Sequence, residues 1–400
     1  MTRLRAALTA ALLAASSLAH AQSDDANDVA ASLRLGVSAY RTGDIAAAEA
    51  AFRSLAPGNP DAEAWLAVVL LDRGDRQEGL RRLQSSVDAG SSEGTHRLGL
   101  VFAQGLAGIP RNDQRAAELF ELAANAGHRR AQVNIGILYL RGQGVPRDLV
   151  QARAWLEKAA TDGDPTAQYA LGRAMEESQG AAAADSIRAT DLYRRAAEQG
   201  HALAALRYAL ALADGVGIKR DLAKAQELLV RAYESGVPEA ALALGDIAAR
   251  TPLSRDKDAN ANLLQAAVSW YRLAAHAGVP SAQFKLGTAY LGGAGIERDP
   301  MQAQLWYGRA ALQGLPAAQH GLGMLLLGGV TGVQDPVEGY KWLMLAERNG
   351  YLEAGTVRQK ASERISVSDR ERAAALAQAF VPSYERTADD IAPRLTPAKP

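Results

Sequence analysis

The sequence predicts an all-α fold, an α-solenoid of stacked antiparallel helix pairs, because small residues recur along the 400-residue chain with one period. Successive unit-closing glycines lie 36 or 37 residues apart, except for one interval of 42. A second small residue follows most of them after nine positions, and alanine or glycine precedes most of them by eleven. Such a period is typical of helical repeats, in which each unit packs on its neighbours. The closing glycines are Gly90, Gly127, Gly163, Gly200, Gly236, Gly278, Gly314 and Gly350.

Residues 1–21 predict a secretory signal peptide. Two arginines precede an apolar run, Ala6 to Ala15, that is too short to span a bilayer. Ala19-His20-Ala21 is a small-x-small cleavage site, so we expect cleavage after Ala21 and a periplasmic protein, with secretion beyond the periplasm left open. The alternative is an amphipathic first helix of the fold, but the run lacks a polar face.

Composition excludes several classes of function. The chain has no cysteine, which excludes disulfides, thiol catalysis, cysteine metal sites and a lipid anchor at the signal peptide. Its 44 basic residues balance 44 acidic ones, so electrostatics favours neither nucleic acid nor an anionic membrane as a partner. No other run is apolar and long enough for an integral membrane segment.

Residues 22–89 precede the regular period and predict helix pairs with a shorter repeat. Tyr40-Arg41-Thr42-Gly43-Asp44 and the residues up to Pro60 resemble a tetratricopeptide unit, and residues 70–75 resemble the beginning of the turn in a second such unit.

From residue 94 onward, each unit predicts two helices. The first carries a small residue, an apolar residue, a glycine and an aromatic or apolar residue at i, i+4, i+5 and i+8, which share one face. Glycine is unfavourable inside a helix, so its recurrence at one phase indicates close approach of the partner helix. These glycines are Gly99, Gly136, Gly172, Gly245, Gly287 and Gly323.

The second helix of each unit carries alanine, leucine or tryptophan, and alanine at i, i+3 and i+7. An aspartate often precedes it, as at Asp113 and Asp148, and is expected to cap its N-terminus. The tryptophans share one phase, which favours core positions over a sugar-binding surface. They are Trp155, Trp270, Trp306 and Trp342.

Two units and the C-terminus deviate from the pattern. The turn at 179–187 lacks a Gly-x-Gly sequence, and the unit after Gly236 carries six extra residues within 251–263, which we expect in a loop. Residues 351–381 predict C-terminal capping helices, with a capping box from Ser368 to Glu371, and 382–400 predict a disordered tail.

The segment from Ala131 to Asp148, Ala-Gln-Val-Asn-Ile-Gly-Ile-Leu-Tyr-Leu-Arg-Gly-Gln-Gly-Val-Pro-Arg-Asp, is followed by Ala-Arg-Ala-Trp at 152–155. It resembles the consensus of the Sel1-like repeat family, which is related to the tetratricopeptide repeats. The resemblance covers 90–350 as seven repeats. It implies an exported, non-catalytic scaffold or adaptor that binds a protein or peptide partner in the cell envelope.

The resemblance also implies a binding surface, since tetratricopeptide-like units bind partners on the concave face that their first helices line. By phase, residues three before and one and five after the helical glycine are expected to be exposed there. An apolar groove of this kind suits an amphipathic helix or an extended peptide, unless the units bury these side chains between them. The predicted partner-binding residues are His96, Tyr169, Arg173, Leu206, Asp246, Phe284 and His320, and the same phases include Leu100, Val133, Leu210, Asp214, Leu242 and Arg250.

We predict no catalytic residue, no cofactor and no metal site. The sequence contains no HExxH motif, phosphate loop or nucleophile elbow, and spacing alone identifies no pair of carboxylates for acid/base catalysis. His96 and His320 are too many units apart to share a metal, and His128 and His201 are expected in surface loops. Two alternatives to the scaffold stay open: a periplasmic regulator that restrains a sensor or a secretion or polysaccharide-export component, and a hydrolase acting on β-lactam or peptidoglycan. Family members reported to act on β-lactams are cysteine-rich, unlike this chain.

Overall fold

The computed structural model describes residues 27–177, 183–251, 256–332 and 334–383. Within these ranges the regular secondary structure is helical and contains no strand, so the predicted all-α fold of stacked helix pairs is confirmed. The predicted signal peptide, residues 178–182 of the irregular turn and residues 384–400 of the predicted tail lie outside the described residues.

The described helices follow one another in pairs, and consecutive helices within a compact unit pack together. The chain divides into two such units, an N-terminal unit that contains α1 to α9 and a C-terminal unit that contains α10 to α20. The helices are α1 (27–42), α2 (Ile45–Leu55), α3 (Pro60–Asp72), α4 (Arg76–Asp88), α5 (Ser92–Gln104), α6 (Asp113–Asn125), α7 (Arg129–Arg141), α8 (Leu149–Thr161), α9 (Pro165–Glu176), α10 (Ala183–Glu198), α11 (Ala202–Asp214), α12 (Leu222–Glu234), α13 (Glu239–Arg250), α14 (Lys257–His276), α15 (Pro280–Gly292), α16 (Pro300–Leu312), α17 (Pro316–Gly328), α18 (Pro336–Arg348), α19 (Leu352–Ser362) and α20 (Val367–Ala379).

The helical glycines make room for a large side chain of the following helix. A Cβ placed on Gly99 would lie 2.7 Å from the ring of Phe120, and one on Gly287 would lie 2.7 Å from the ring of Tyr307. The same position faces Tyr271 across Gly245. These large residues all lie seven positions before the closing glycine, so the small residue and the large one form a repeated packing pair.

The turns between paired helices fix the position of the next unit. Gly142 ends α7 with a left-handed φ of 68°, and the Nε of Arg147 donates a hydrogen bond of 3.1 Å to the carbonyl oxygen of Leu140. Gly144 follows with a φ of 69°, and a Cβ at this position would lie 2.0 Å from the carbonyl oxygen of Asp113. The turn therefore rests directly on the second helix of the preceding unit.

The predicted aspartate caps are present at several second helices. The Oδ1 of Asp148 accepts hydrogen bonds from the backbone N–H of Val150 and Gln151 at 2.8 and 3.1 Å. In α6, however, the cap is Asn112, and Asp113 is the first helical residue.

The expectation that the six extra residues form a loop is wrong for most of them. Gly295 faces the carbonyl of Leu264 as Gly144 faces that of Asp113, so Leu264 is the residue of α14 that is equivalent to Asp113, the first residue of α6. The helix α14 begins seven residues before Leu264, at Lys257, and Asp256 caps it there. The insertion therefore extends α14 by about two turns, and residues 252–255 lie outside the described residues.

The tryptophans at the shared phase lie in or beside the core. Trp155, Trp306 and Trp342 are buried, whereas Trp270 is half-buried and packs edge-on against Tyr233, with ring centroids 6.1 Å apart. The phase therefore places all four against neighbouring helices rather than in a row of exposed rings.

The C-terminal helices pack on the last repeat. Phe380 follows α20 and packs edge-on against Trp342 with ring centroids 5.3 Å apart. The predicted capping box at Ser368 is wrong, because α20 begins earlier and Ser366 accepts the hydrogen bond of the Asp369 N–H at 3.1 Å. Beyond α20, the Ser383 N–H donates a 2.9 Å hydrogen bond to the carbonyl oxygen of Leu312.

Candidate partner-binding cleft

A cleft of about 420 Å³ opens in the C-terminal unit, between the first helices α11 and α13. Its walls come from these two helices and from the turn that leads into α12. The lining residues are Leu206, Arg207, Leu210, Ala213, Asp214, Arg220, Leu222, Glu239, Leu242, Ala243, Asp246, Ile247, Arg250 and Thr251.

The cleft brings together six positions that the repeat phase predicts as partner-facing. Each of the two helices contributes the residue three before, one after and five after its small helical residue, which is Ala209 in α11 and Gly245 in α13. These positions are equivalent in two neighbouring repeats and therefore lie side by side. They are Leu206, Leu210 and Asp214 in α11, and Leu242, Asp246 and Arg250 in α13.

The middle of the cleft is apolar. Leu210, Leu242 and Ile247 are half-buried and line it, so they can still exchange water for a partner side chain. Leu206 is only 8% exposed, so the expectation of an exposed side chain is wrong there. The alternative prediction, burial between neighbouring repeats, describes Leu206 better. The side chain of Leu206 forms part of the cleft lining.

Two of the acidic groups at the cleft are already engaged. The Tyr271 hydroxyl donates a 2.8 Å hydrogen bond to Asp246, and the Nζ of Lys285 lies 3.0 Å from the same Oδ1. Burial, followed by this contact with Asp246, raises the pKa of Tyr271. Asp214 faces Arg250 at 3.6 Å, and both of these side chains are mostly exposed.

The two helices that flank the cleft lack a link that other first helices have. The carboxamides of Gln283 and Gln319 donate to carbonyl oxygens of the preceding second helix, each at 3.2 Å, and accept hydrogen bonds from Gln313 and Asn349, which end the second helices of the same repeats. The equivalent residues of α11 and α13 are Ala205 and Ala241, which have no such group. The Ala-Gln dipeptide that carries this glutamine is visible in four of the seven repeats of the sequence.

The remaining predicted partner-binding residues lie elsewhere. In the N-terminal unit, Arg173 lies 3.4 Å from the Tyr169 hydroxyl and forms an ion pair of 2.8 Å with Glu177. In the C-terminal unit, Phe284 stacks on Tyr307 with ring centroids 5.3 Å apart, and His320 stacks on Tyr351 at 4.8 Å. Neither Phe284 nor His320 lines the cleft.

His96 belongs to a buried polar network in the N-terminal unit, so its expected exposure is also wrong. It is 2% exposed and stacks on His128 with ring centroids 4.4 Å apart, and Asn134 lies 3.1 Å from its Nε2. Glu93 accepts a 2.6 Å hydrogen bond from Arg97 and lies 2.9 Å from the Nε2 of His128. A sequence without a recognised ligand motif therefore still brings two imidazoles and a carboxylate together, with donor atoms within 4.8 Å.

The hydrogen bonds of this network account for its geometry as a structural element. The Nδ1 of His128 accepts the Ala131 N–H at 3.2 Å, which caps α7 and leaves the proton of a neutral ring on the Nε2 that faces Glu93. The two stacked rings are tilted by 24° to each other. His128 and His201 lie in the turns between helices, as expected, but both are half-buried, and His201 caps α11 through the Ala204 N–H at 3.2 Å as His128 caps α7.

We expect the network to make the free energy of unfolding of the N-terminal unit pH-dependent. Burial first, and then the charge of His128, lower the pKa of His96 well below 6.5. The unfolded chain takes up a proton near pH 6.5 and the folded chain does not, so the free energy of unfolding decreases as the pH falls below 6.5. The expected slope is at most about 1.4 kcal/mol per pH unit for this one proton.

Hydrogen exchange of α5 and α7 amides at pH values from 7.5 to 5.5, corrected for intrinsic rates, measures this slope. We expect His96→Phe to flatten it, whereas His276→Gln, at an exposed residue of the C-terminal unit, leaves it unchanged. An unchanged slope in His96→Phe would place the titrating group elsewhere.

The stacked helix pairs define a helical-repeat protein. The chain belongs to the Sel1 repeat family, since the family model matches residues 92–128, 129–164, 165–201, 202–237, 254–279, 280–315 and 316–351. The resemblance noted in the sequence is thereby confirmed. Sel1 repeat proteins generally act as protein-interaction scaffolds.

Solved and curated proteins share this architecture. A Sel1 repeat protein from Oxalobacter formigenes is 30% identical, with a TM-score of 0.55 over 77% of this chain and 88% of that one. An ERAD-associated E3 ubiquitin-protein ligase component, HRD3B of Arabidopsis thaliana, is 34% identical over 25% of this chain and 16% of its own length. Chitin synthase regulatory factor 3 of Schizosaccharomyces pombe is 36% identical over 26% of this chain and 11% of its own. The chain thus spans less than a fifth of these two curated relatives. Among the described residues, no helix meets the length and hydropathy needed to cross a membrane.

Proposed function

We propose that this protein is a non-catalytic scaffold of the cell envelope that binds a segment of a partner protein in the cleft between α11 and α13. The observation that carries the proposal is the convergence of six repeat-phased residues on one cleft with an apolar middle. A concave apolar site with a few polar groups is the usual form of a binding site, and an amphipathic helix or extended segment suits a groove between helices.

The envelope location is proposed from the N-terminal sequence. Arg3, Arg5, the short apolar run and the Ala19-His20-Ala21 site together support export and cleavage. Expression in a Gram-negative host, followed by fractionation and mass spectrometry, tests it. A periplasmic product that starts at Gln22 supports export, whereas an intact Met1 in the cytoplasm contradicts it.

Partner binding is expected to depend on the apolar middle of the cleft. Leu210→Asp together with Ile247→Asp places two carboxylates against the partner surface, where an unpaired buried charge is strongly unfavourable. We expect this variant to lose at least about 90% of the captured partner in pull-downs from envelope extract, which corresponds to about 1.4 kcal/mol or more of binding free energy.

The matched control is Leu305→Asp, because Leu305 is 47% exposed on the second helix α16 and does not line the cleft. Circular dichroism first establishes equal helicity of the three proteins. A partner that all three capture equally would move the binding site away from the cleft.

Regulation of another envelope protein is a second candidate, which the similarity to the chitin synthase regulatory factor of Schizosaccharomyces pombe favours. In this proposal the captured partner is an enzyme, sensor or export component, and the scaffold changes its activity. Assaying the activity of the captured partner with and without this protein distinguishes a regulator from a static scaffold, since a static scaffold leaves that activity unchanged.

A further inference from the structure

A guanidinium with unpaired donors lies at one end of the cleft. Arg220 lies in the turn before α12, it is exposed, and its Nε donates a 2.9 Å hydrogen bond to the carbonyl oxygen of Ala213. This bond fixes the direction of the side chain, whereas the two terminal nitrogens donate to no acceptor among the described residues. Because Arg220 is exposed and lines the cleft, a ligand can reach these nitrogens.

The repeat shows which group is missing beside Arg220. Arg147 has the same place in the turn before α8, and its Nε is likewise held by a backbone carbonyl oxygen, at 3.1 Å. Its terminal nitrogen donates a 2.6 Å hydrogen bond to Glu177, which lies five residues after the helical glycine of α9. The equivalent residue of α13 is Arg250. The chain thus places a basic residue beside Arg220 where Arg147 has an acidic partner.

The acidic groups of the cleft do not neutralise Arg220. Asp246 is already held by a tyrosine and a lysine of the following helices, and Asp214 faces Arg250 at 3.6 Å. Glu239 lies eleven residues before Arg250 on α13, about 16 Å away along the helix. None of the three acidic residues forms an ion pair with Arg220 in the described part of the chain.

A second basic group of the lining is unpaired as well. Arg207 is half-buried in α11 and forms no ion pair or hydrogen bond through its side chain within the described ranges. The charges of the cleft that remain available to a ligand are therefore positive. A complementary ligand has an acidic group at the Arg220 end and apolar side chains along Leu210 and Ile247.

We infer that the cleft selects a peptide segment with an aspartate or glutamate beside leucine-sized side chains, and that this carboxylate accepts hydrogen bonds from Arg220. The inference rests on the proposed function and adds the chemistry of the partner. The carboxylate would take the position beside Arg220 that Glu177 has beside Arg147. A planar guanidinium matches the two oxygens of a carboxylate, and such a charge-assisted hydrogen bond is about twice as strong as a neutral one.

The test uses random 12-residue peptides displayed on phage. They are selected on the chain and counter-selected on Leu210→Gln with Ile247→Gln, a neutral change that alters the apolar middle and keeps the charge of the cleft. We expect the enriched peptides to carry an aspartate or glutamate beside leucine, isoleucine or methionine. One synthetic peptide of this set and its version with the corresponding amide residue are then measured by fluorescence polarisation.

The decisive variant is Arg250→Glu, which gives Arg220 the acidic neighbour that Arg147 has. The side chain of Arg250 is 73% exposed, so the fold should tolerate the change. Arg272→Glu is the matched control, because it makes the same change of charge at an exposed residue of α14 outside the cleft. Arg220→Gln removes the guanidinium itself, and circular dichroism first establishes that all variants keep their helicity.

We expect the acidic peptide to bind Arg250→Glu and Arg220→Gln about tenfold or more weakly than wild type, and the amide peptide to bind all of them nearly equally. Arg272→Glu should change neither affinity. Cleft binders without an acidic preference, or an equal effect of Arg250→Glu on both peptides, overturn the inference and leave the proposed function standing. If selection yields no binder that the double glutamine variant rejects, both fail.

Discussion

Gly144→Ala is expected to lower the free energy of unfolding of the N-terminal unit by about 2–5 kcal/mol. Two costs combine at this residue. Its φ of 69° lies in the left-handed region, and the added methyl would stand 2.0 Å from the carbonyl oxygen of Asp113. That atom belongs to the backbone of α6, so rotation of a side chain cannot relieve the clash, and the turn must move away from the preceding unit.

Urea unfolding monitored by circular dichroism, with hydrogen exchange of α6 and α7, measures the effect. Gly142→Ala separates the two costs, because Gly142 has a similar φ of 68° but its nearest neighbour is the Arg147 Cβ at 3.1 Å. We expect a smaller loss there, about 1–2 kcal/mol. Gly308→Ala in α16 should instead raise the free energy of unfolding by about 0.5–1 kcal/mol, because nothing lies within 4 Å of its Cβ position. Equal losses for Gly144→Ala and Gly142→Ala would show that the contact with Asp113 carries no weight.

Much of the fold follows from the repeat because periodic small residues can be explained only by periodic close contacts. Gly99 and Gly287 mark such contacts, and the structure places Phe120 and Tyr307 in the space they leave. The insertion was harder to place, since its length alone does not distinguish a loop from a longer helix. Residues 257–263 form the N-terminal part of α14, because Asp256 caps the helix there and the added residues remain compatible with a helix.

The candidate cleft was predictable in its residues but not in its place. The repeat phase identifies Leu206, Leu242 and their equivalents as one row, because residues one period apart lie side by side. The phase does not show between which two repeats a cleft forms. The position of the cleft depends on the side chains that surround each residue of the row, since His96 shares the phase of Leu206 but is covered by Phe120 and His128.

The buried network could have been found from the same period. Glu93 and His128 lie 35 residues apart, close to one repeat, and a hydrogen bond of 2.9 Å joins them. A search for polar residues one period apart on adjacent first helices would have proposed this pair. Its burial and the direction of each hydrogen bond required the structure, because they depend on rotamers that the sequence pattern does not encode.

Arg97→Ala is expected to lower the free energy of unfolding of the N-terminal unit by about 3–5 kcal/mol, the usual effect of removing one partner from a buried ion pair. Arg97 is 2% exposed, its guanidinium lies 3.7 Å from the centre of the Trp65 ring, and its Nε donates to Glu93 at 2.6 Å. The substitution removes this packing and leaves Glu93 with His128 alone.

The pH dependence of the loss distinguishes the ion pair from lost packing. Burial tends to raise the pKa of Glu93, but the hydrogen bond from His128 and the charge of Arg97 outweigh it and lower that pKa below the ordinary 4.5. The native pair therefore stabilises the fold above pH 4.5 and loses this contribution as the pH falls below it, so the difference in free energy of unfolding between wild type and Arg97→Ala should shrink in acid.

Arg97→Met with Glu93→Gln should recover part of the stability, because no buried charge is left unpaired. Arg115→Ala, in an exposed pair with Glu118, should cost about 0.5 kcal/mol or less. If Arg97→Ala were no worse than Arg115→Ala, the burial of this ion pair would carry no energetic weight, and the acid sensitivity of the N-terminal unit would rest on His96 alone.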